Sequence, residues 1–184
     1  VHDENGVAVV VRLRDTDAHA LHDAPIAIAV SSAKHVVLYQ NNSPGLDSTL
    51  VSVPLLRPHA DTVWIDDQIQ STGVPAKVGV RVGEAPVTAI PAATVPLLGV
   101  SGVHIFADPS NGVGVEGTVT NSSKVPRQKL VVYVIGRCGG RIVAAGRAVL
   151  AEVPAGRGTT FQVFCIGSVR GARLEVSAPP TAFG

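Results

Sequence analysis

Along most of this chain apolar residues alternate with polar or small ones at a period of two, and no stretch sustains a helical stripe over three turns. Runs rich in Val, Ile and Thr, bounded by Asp, Asn, Ser, Gly and Pro, predict strands over 7–14, 25–31, 35–40, 49–53, 61–66 and 76–83 in the first half. The second half predicts strands over 103–107, 112–121, 129–137, 141–152, 158–166 and 172–177. The alternation is clearest at Val78, Val80 and Val82, which share one face, with Lys77, Gly79 and Arg81 on the other. That strand is expected to bury one face and expose the other. Many short strands with regular turn signals predict an all-β fold of antiparallel, immunoglobulin-like sandwiches.

The pattern also repeats. A constant offset of 106 pairs Asp15 with Asn121, Ile26, Ile28 and Val30 with Val132, Val134 and Gly136, and Val36 and Val37 with Ile142 and Val143. The offset falls to 97 at Trp64 and Phe161, because the first copy carries extra residues near 41–50. Two tandem sandwich modules are expected, residues 1–84 and 103–184, joined by an apolar, proline-rich linker over 85–102. Pro86, Pro91 and Pro96 favour an extended linker that joins no central strand, while Val87, Ile90 and Val95 should hold it against one or both modules.

Composition narrows the function classes. A hydrophobic content of 46% with 16% charged residues belongs to a folded chain, and the longest apolar runs fall far short of a membrane-spanning helix. A net charge of +1 and 4% aromatics provide neither an electrostatic footprint nor a stacking platform, so nucleic acid is not expected as a partner. The sequence contains no methionine, so residue 1 is expected to be an internal position of a longer product. Cys138 and Cys165, the two cysteines, both fall in the second copy beside strands, and a disulfide between them is expected, in keeping with an oxidising compartment.

The second copy resembles the FxLYD family of small extracytoplasmic β-sandwich modules. The resemblance rests on Gly117, Thr118, Val119, Thr120, Asn121, Ser122 and Ser123, the apolar strand 130–135, the turn Gly139 and Gly140, and Pro154, Ala155 and Gly156 ahead of Thr160 and Phe161. It covers roughly residues 113–176, and Val132, Tyr133, Val134, Ile135 and Gly136 stand where the family has its eponymous motif. The resemblance implies an exported or surface-anchored module, attached to a membrane only through a segment outside this chain, and carries over no catalytic residue.

Several clusters are candidates for chemistry. Gly112, Gly114 and Gly117 satisfy the spacing of a dinucleotide fingerprint, but Thr118, Val119 and Thr120 continue as strand where that motif needs a helix, so the glycines read as turn or bulge positions. The loop 15–23 holds Asp15, Asp17, His19 and His22, whose carboxylate and imidazole groups suit a transition metal; without a helix, their spacing does not fix the rings on one side. The extra residues Asn41, Asn42, Leu46 and Asp47 form a candidate binding loop on a rigid scaffold. Asp66 and Asp67 are adjacent and should point to opposite faces of a strand, and Trp64, aligned with Phe161, reads as a core aromatic.

The expected function is a non-enzymatic, extracytoplasmic structural or partner-binding module that needs no cofactor and meets protein or glycan at the cell surface. The alternative is a metal-dependent binding protein or hydrolase using the 15–23 loop.

Overall fold

The computed structural model describes residues 1–16, 18–85, 95 and 98–181. The chain is all-β: fourteen strands and one short 3-10 turn, with no α-helix among the described residues. The first half holds β1 (His2–Asp3), β2 (Gly6–Arg14), β3 (Leu21–Ser31), β4 (Val37–Gln40), β5 (Ser52–Leu56), β6 (Asp61–Ile69) and β7 (Lys77–Val82). The second holds β8 (Leu98–Asp108), β9 (Gly112–Asn121), β10 (Arg127–Cys138), β11 (Arg141–Val153), β12 (Gly158–Phe164), β13 (Ile166–Gly167) and β14 (Arg173–Ser177). The predicted strands correspond to these elements, but β1 was not predicted, β3 begins four residues before the predicted 25–31, and the predicted 158–166 strand is divided into β12 and β13. The 49–53 strand is displaced by the 3-10 turn Ser48–Leu50 into β5, and the 103–107 strand begins earlier, at Leu98. Val78, Val80 and Val82 of β7, expected to form a buried face, are 49%, 46% and 42% exposed.

All pairings are antiparallel, and the pairing pattern of the first half recurs in the second. The sheet β1-β2-β6 has its counterpart in β8-β9-β12. Strand β3 pairs with β4 and β5 along one side and β7 along the other, as β10 pairs with β11 and β14. The pairings correspond at the two offsets: Val11 pairs with Trp64, and Gly117, 106 positions on, pairs with Phe161, 97 positions on. Both long strands break register at corresponding places, between Val30 and Ser31 in β3 and between Gly136 and Arg137 in β10. A bulge bends and twists a strand, so its recurrence gives both sheets the same local shape.

The halves share a core. On β10, Leu130, Val132 and Val134 pack with Val115, Val119 and Phe161 of their own half. The alternate residues Val131, Tyr133 and Ile135 instead join Trp64, Ile65 and the valines of β2 in the first half. The β10-β11 sheet is therefore buried on both faces, which is why residues 130–136 form an unbroken buried run instead of an alternating one. The β2-β6 sheet is its partner: Val7, Ala8 and Val9, and likewise Trp64, Ile65 and Asp66, are buried in succession. Of the proline-rich segment, Val95 is buried with Ala20 and Leu55 and its carbonyl accepts from Arg57 Nη2 at 3.2 Å. Residues 86–94, 96 and 97, which include Pro86, Pro91 and Pro96, lie outside the described residues.

The insertion near 41–50 has a clear structural consequence. In the second half β11 runs unbroken beside β10, whereas in the first half its place is shared by β4 and β5, and the chain leaves the sheet between them. Asn41, at the exit, is buried, and its side chain takes over the missing ladder. Its Oδ1 accepts from the Ile28 N–H at 2.7 Å, and its Nδ2 donates to the carbonyls of Ile26 at 2.9 Å and Leu50 at 2.7 Å. An alanine there would leave the buried Ile28 N–H and Ile26 carbonyl without partners, each costing about 1–3 kcal/mol. Asn41→Ala should lower the unfolding free energy in urea by about 2–4 kcal/mol, while Asn42→Ala, at an exposed neighbour, should change it by less than about 0.5 kcal/mol. Equal effects would refute the assignment.

Candidate functional site

The residues of the 15–23 loop that the structure describes lie in different settings. Asp15 closes β2, buried at 4% exposure, with its N–H bonded to the Ala60 carbonyl at 3.3 Å; its counterpart Asn121 is buried at the end of β9. His22 lies on β3 opposite Leu55 and its Nδ1 meets Asp23 Oδ2 at 3.0 Å. His19 is exposed, and Asp17 lies outside the described residues. Among the described residues no group of three or more His, Cys, Asp or Glu side chains could hold a metal ion.

The expected disulfide between Cys138 and Cys165 is not formed; both thiols are free. Cys165 packs its backbone against Gly146, which stands opposite Val134, whereas Cys138 occupies the far end of β10. Four residues of strand at about 3.3 Å each put roughly 13 Å between those levels, well beyond the roughly 4.4–6.8 Å between Cα atoms that a bridge spans. Burial, helped by the Asp67 charge, pushes the Cys165 thiol up to about 12, so it stays protonated and unreactive at neutral pH. The fingerprint glycines serve packing. Gly112 turns the chain at φ +87°, and a Cβ at Gly114 or Gly117 would come within 2.7 Å of the rings of Phe106 and Phe161.

What the fold does assemble is a polar cluster in the seam between the halves. Arg147, on β11, stands beside Tyr133 on the face turned to the first half, and its side chain is only 3% exposed. Its backbone N–H donates to Asp67 Oδ2 at 2.8 Å, its Nε lies 3.8 Å from Asp67 Oδ1, and its Nη1 donates to Thr49 Oγ1 at 2.8 Å. Thr49 belongs to the insertion. Its hydroxyl donates to Asp47, whose carboxylate also accepts the Thr49 N–H at 2.8 Å, and its carbonyl accepts from Trp64 Nε1 at 2.9 Å.

The insertion expected to bind a partner thus splits its roles. Asn41 and Thr49 are turned into the protein and Asp47 holds Thr49, while Asn42 is exposed and Leu46 half-buried. Asp66 and Asp67 do point to opposite faces: Asp66 accepts from the Tyr39 hydroxyl at 2.9 Å within the first half, and Asp67 faces Arg147. Trp64 is fully buried, in line with its reading as a core aromatic. The Tyr133 hydroxyl is buried in the same seam without a hydrogen-bond partner, and burial raises its pKa so that it stays neutral. Arg147 itself had no sequence signal beyond a charge within a strand, since its importance comes from a contact between distant segments.

A shallow groove of about 390 Å³ runs along another part of the seam, between Leu55, Arg57 and Val63 of the first half and Leu98, Val100 and Val176 of the second. Its walls are mainly apolar. A scan against models of known protein families and a search of curated proteins find no match to this chain.

Burial raises the carboxyl of Asp67 to about 6, and raises that of Asp66 as well, because the Arg147 charge and the hydrogen bonds only partly offset desolvation. The folded state therefore binds protons more tightly than the unfolded chain at these positions. As pH falls from 7 through 6, the native state gains stability until the unfolded value near 3.8 is approached. Asp3, Asp47 and Glu175 act in the opposite sense, since hydrogen bonds hold them below their ordinary values and their stabilisation is lost under more acidic conditions. Stability should rise between pH 7 and about 4.5, and Asp67→Asn should flatten that rise, leaving the part due to Asp66. Parallel stability profiles for the two proteins, measured by urea unfolding at each pH, would exclude Asp67 as the titrating group.

Proposed function

We propose that this chain is a non-enzymatic extracytoplasmic scaffold: two tandem immunoglobulin-like sandwich modules held as one body, which space or present a surface to protein or glycan partners. The observation that carries this reading is the shared core. Alternate residues of β10 belong to the interiors of both halves, and the buried Arg147 reaches Asp67 and Thr49 across the seam. A junction built this way transmits position and orientation, which a solvated tether does not. Arg147 and Asp67 of the seam are engaged with each other, the Tyr133 hydroxyl there stays neutral and the one thiol near them is protonated, so the arrangement favours a structural role over nucleophilic or acid–base chemistry. The likeness of residues 113–176 to extracytoplasmic modules supports the compartment.

Two experiments test the proposal. In a Cys138→Ser background, Trp64 fluorescence reports on the first half and Cys165 labelling on the second. Both should follow one urea transition with a common midpoint, and separated midpoints would refute a single body. For the compartment, the exposed Cys138 thiol of the native protein should react with a membrane-impermeant maleimide on intact cells. Labelling that appears only after lysis would overturn the extracytoplasmic assignment.

A further inference from the structure

The two halves carry the same reactive dipeptide at the same turn. Asn5 and Gly6 close the β1-β2 hairpin, and Asn111 and Gly112, 106 positions on, close the β8-β9 hairpin; a valine follows in both. Asparagine before glycine is the pair in which a backbone nitrogen most readily attacks the preceding side chain, because glycine puts no Cβ in the way of the ring that forms. With Asn-Gly-Val identical in the two turns, a difference in reactivity has to come from the surroundings.

The turn at Asn5 is closed. The Asn5 N–H donates to Asp3 Oδ1 at 2.8 Å, and its carbonyl accepts from Gln70 Nε2 at 3.2 Å. Asp3 is anchored in turn to the second half, its Oδ2 accepting from the Gly167 N–H at 2.7 Å. Burial pushes the Asp3 carboxyl up, but hydrogen bonds from the N–H groups of Gly167 and Asn5, the Asn5 amide and the Gly6 N–H hold it below its ordinary value. The proton of the Gly6 nitrogen is thus engaged with a carboxylate, which makes it harder to remove and the nitrogen slower to attack. Space is short as well, since a Cβ at Gly6 would lie 2.8 Å from the Ile69 carbonyl oxygen.

The turn at Asn111 is open. Residues 109–112 are all exposed, and a Cβ at Gly112 would meet nothing within 4 Å. Asp108 Oδ1 accepts from the N–H groups of Ser110 at 2.8 Å and Asn111 at 2.7 Å and from Asn111 Nδ2 at 3.1 Å. Its bonds stay inside the turn, and Gly112 is not one of its donors. Water reaches this place freely: Asn111 and Gly112 line a cleft of about 450 Å³ together with Asp3, Asn5 and Ser168.

We propose that Asn111 is a site of spontaneous covalent modification, where the Gly112 nitrogen attacks Asn111 Cγ and the asparagine becomes isoaspartate and aspartate, while the matching Asn5 is protected by its turn. Hydroxide takes the Gly112 N–H proton, and the new N–Cγ bond closes a cyclic imide. The Cγ–Nδ2 bond breaks as Nδ2 takes a proton from water, which returns the hydroxide, and ammonia leaves. Water then adds to one of the imide carbonyls. Opening at Cγ restores the chain as aspartate; opening at the backbone carbonyl leaves the chain running through Cγ as isoaspartate. The net change is one water consumed and one ammonia released. Either product replaces the Nδ2 donor to Asp108 with a carboxylate, so two like charges oppose each other in the turn that pairs Asp108 with Gly112. A negative charge also enters the cleft beside Asp3. This goes beyond the scaffold reading and does not depend on it.

The test is incubation of the folded 184-residue chain at mildly alkaline pH, followed by peptide mapping with mass spectrometry that separates asparagine, aspartate and isoaspartate. Asn111 should lose its amide at least about tenfold faster than Asn5, the factor expected when one charge-assisted hydrogen bond, that of Gly6, must break before attack. In concentrated urea, where both turns are lost, the two asparagines should convert at similar rates. Asp3→Ala, which removes the acceptor of the Gly6 N–H, should bring Asn5 up towards the rate of Asn111. Asn111→Gln, whose longer side chain closes a less favourable ring, should suppress conversion at 111 and leave that at Asn5 unchanged. No conversion at Asn111, or conversion at Asn5 that is as fast or faster in the folded chain, would overturn the proposal. The same ratio of rates in urea as in the folded chain would also overturn it, because the difference would then lie in the flanking sequence and not in the turns.

Discussion

The architecture depends on burying both faces of the β10-β11 sheet. A sheet with one buried face closes a sandwich and ends there; one with two buried faces obliges a second sheet to stay in contact with it. Here Leu130, Val132 and Val134 commit one face to the second half, and Val131, Tyr133 and Ile135 commit the other to β2 and β6. Separating the halves would expose both that face and its counterpart, including Ala8 and Ile65. Each large side chain returned to water forfeits about 1.5–3 kcal/mol, so a handful of them outweighs the rotational freedom gained by a hinge.

The apolar part of the seam sets contact but not orientation, since apolar surfaces tolerate sliding. The polar cluster supplies the direction. Arg147 must meet Asp67 on β6 and Thr49 in the insertion at once, and these lie on different segments of the first half. Burial raises the pKa of Asp67 even beside Arg147, so desolvation of this carboxylate outweighs the attraction it receives, and ion pairs taken out of water commonly return little net stability. Its contribution is therefore to register: any displaced docking would leave a buried guanidinium and carboxylate apart, which is costlier still. The unpartnered Tyr133 hydroxyl in the same place is a further cost that the surrounding packing sustains.

Much of the local structure was legible in the sequence because strands and turns are short-range. Period-two runs located the long strands, and the offset of 106 aligned β2 with β9 and β3 with β10 down to the shared bulge. The double burial of β10 was also written there, in six consecutive apolar residues from Leu130 to Ile135, where alternation alone could not distinguish the faces. The site was less legible. Arg147, Asp67 and Thr49 are far apart in the chain and meet only through docking of the halves. The two cysteines looked bridgeable because sequence spacing carries no information about level along a strand. Asn41 looked like a loop residue because its role, replacing a ladder lost to an insertion, exists only once that insertion has split the strand.

The two halves act as controls for each other, and their differences are local and physically paired. Where the second half has Phe161 it has Gly117 opposite, which leaves room for the ring; where the first half has the larger Trp64 it has Val11, and the indole turns its N–H to the Thr49 carbonyl instead. The indole can do so because the insertion, which also separates β4 from β5, brings Thr49 there. The same insertion delivers the Thr49 hydroxyl to Arg147. The extra residues of the first half thus supply, through Thr49, one of the contacts that fix how the two halves meet.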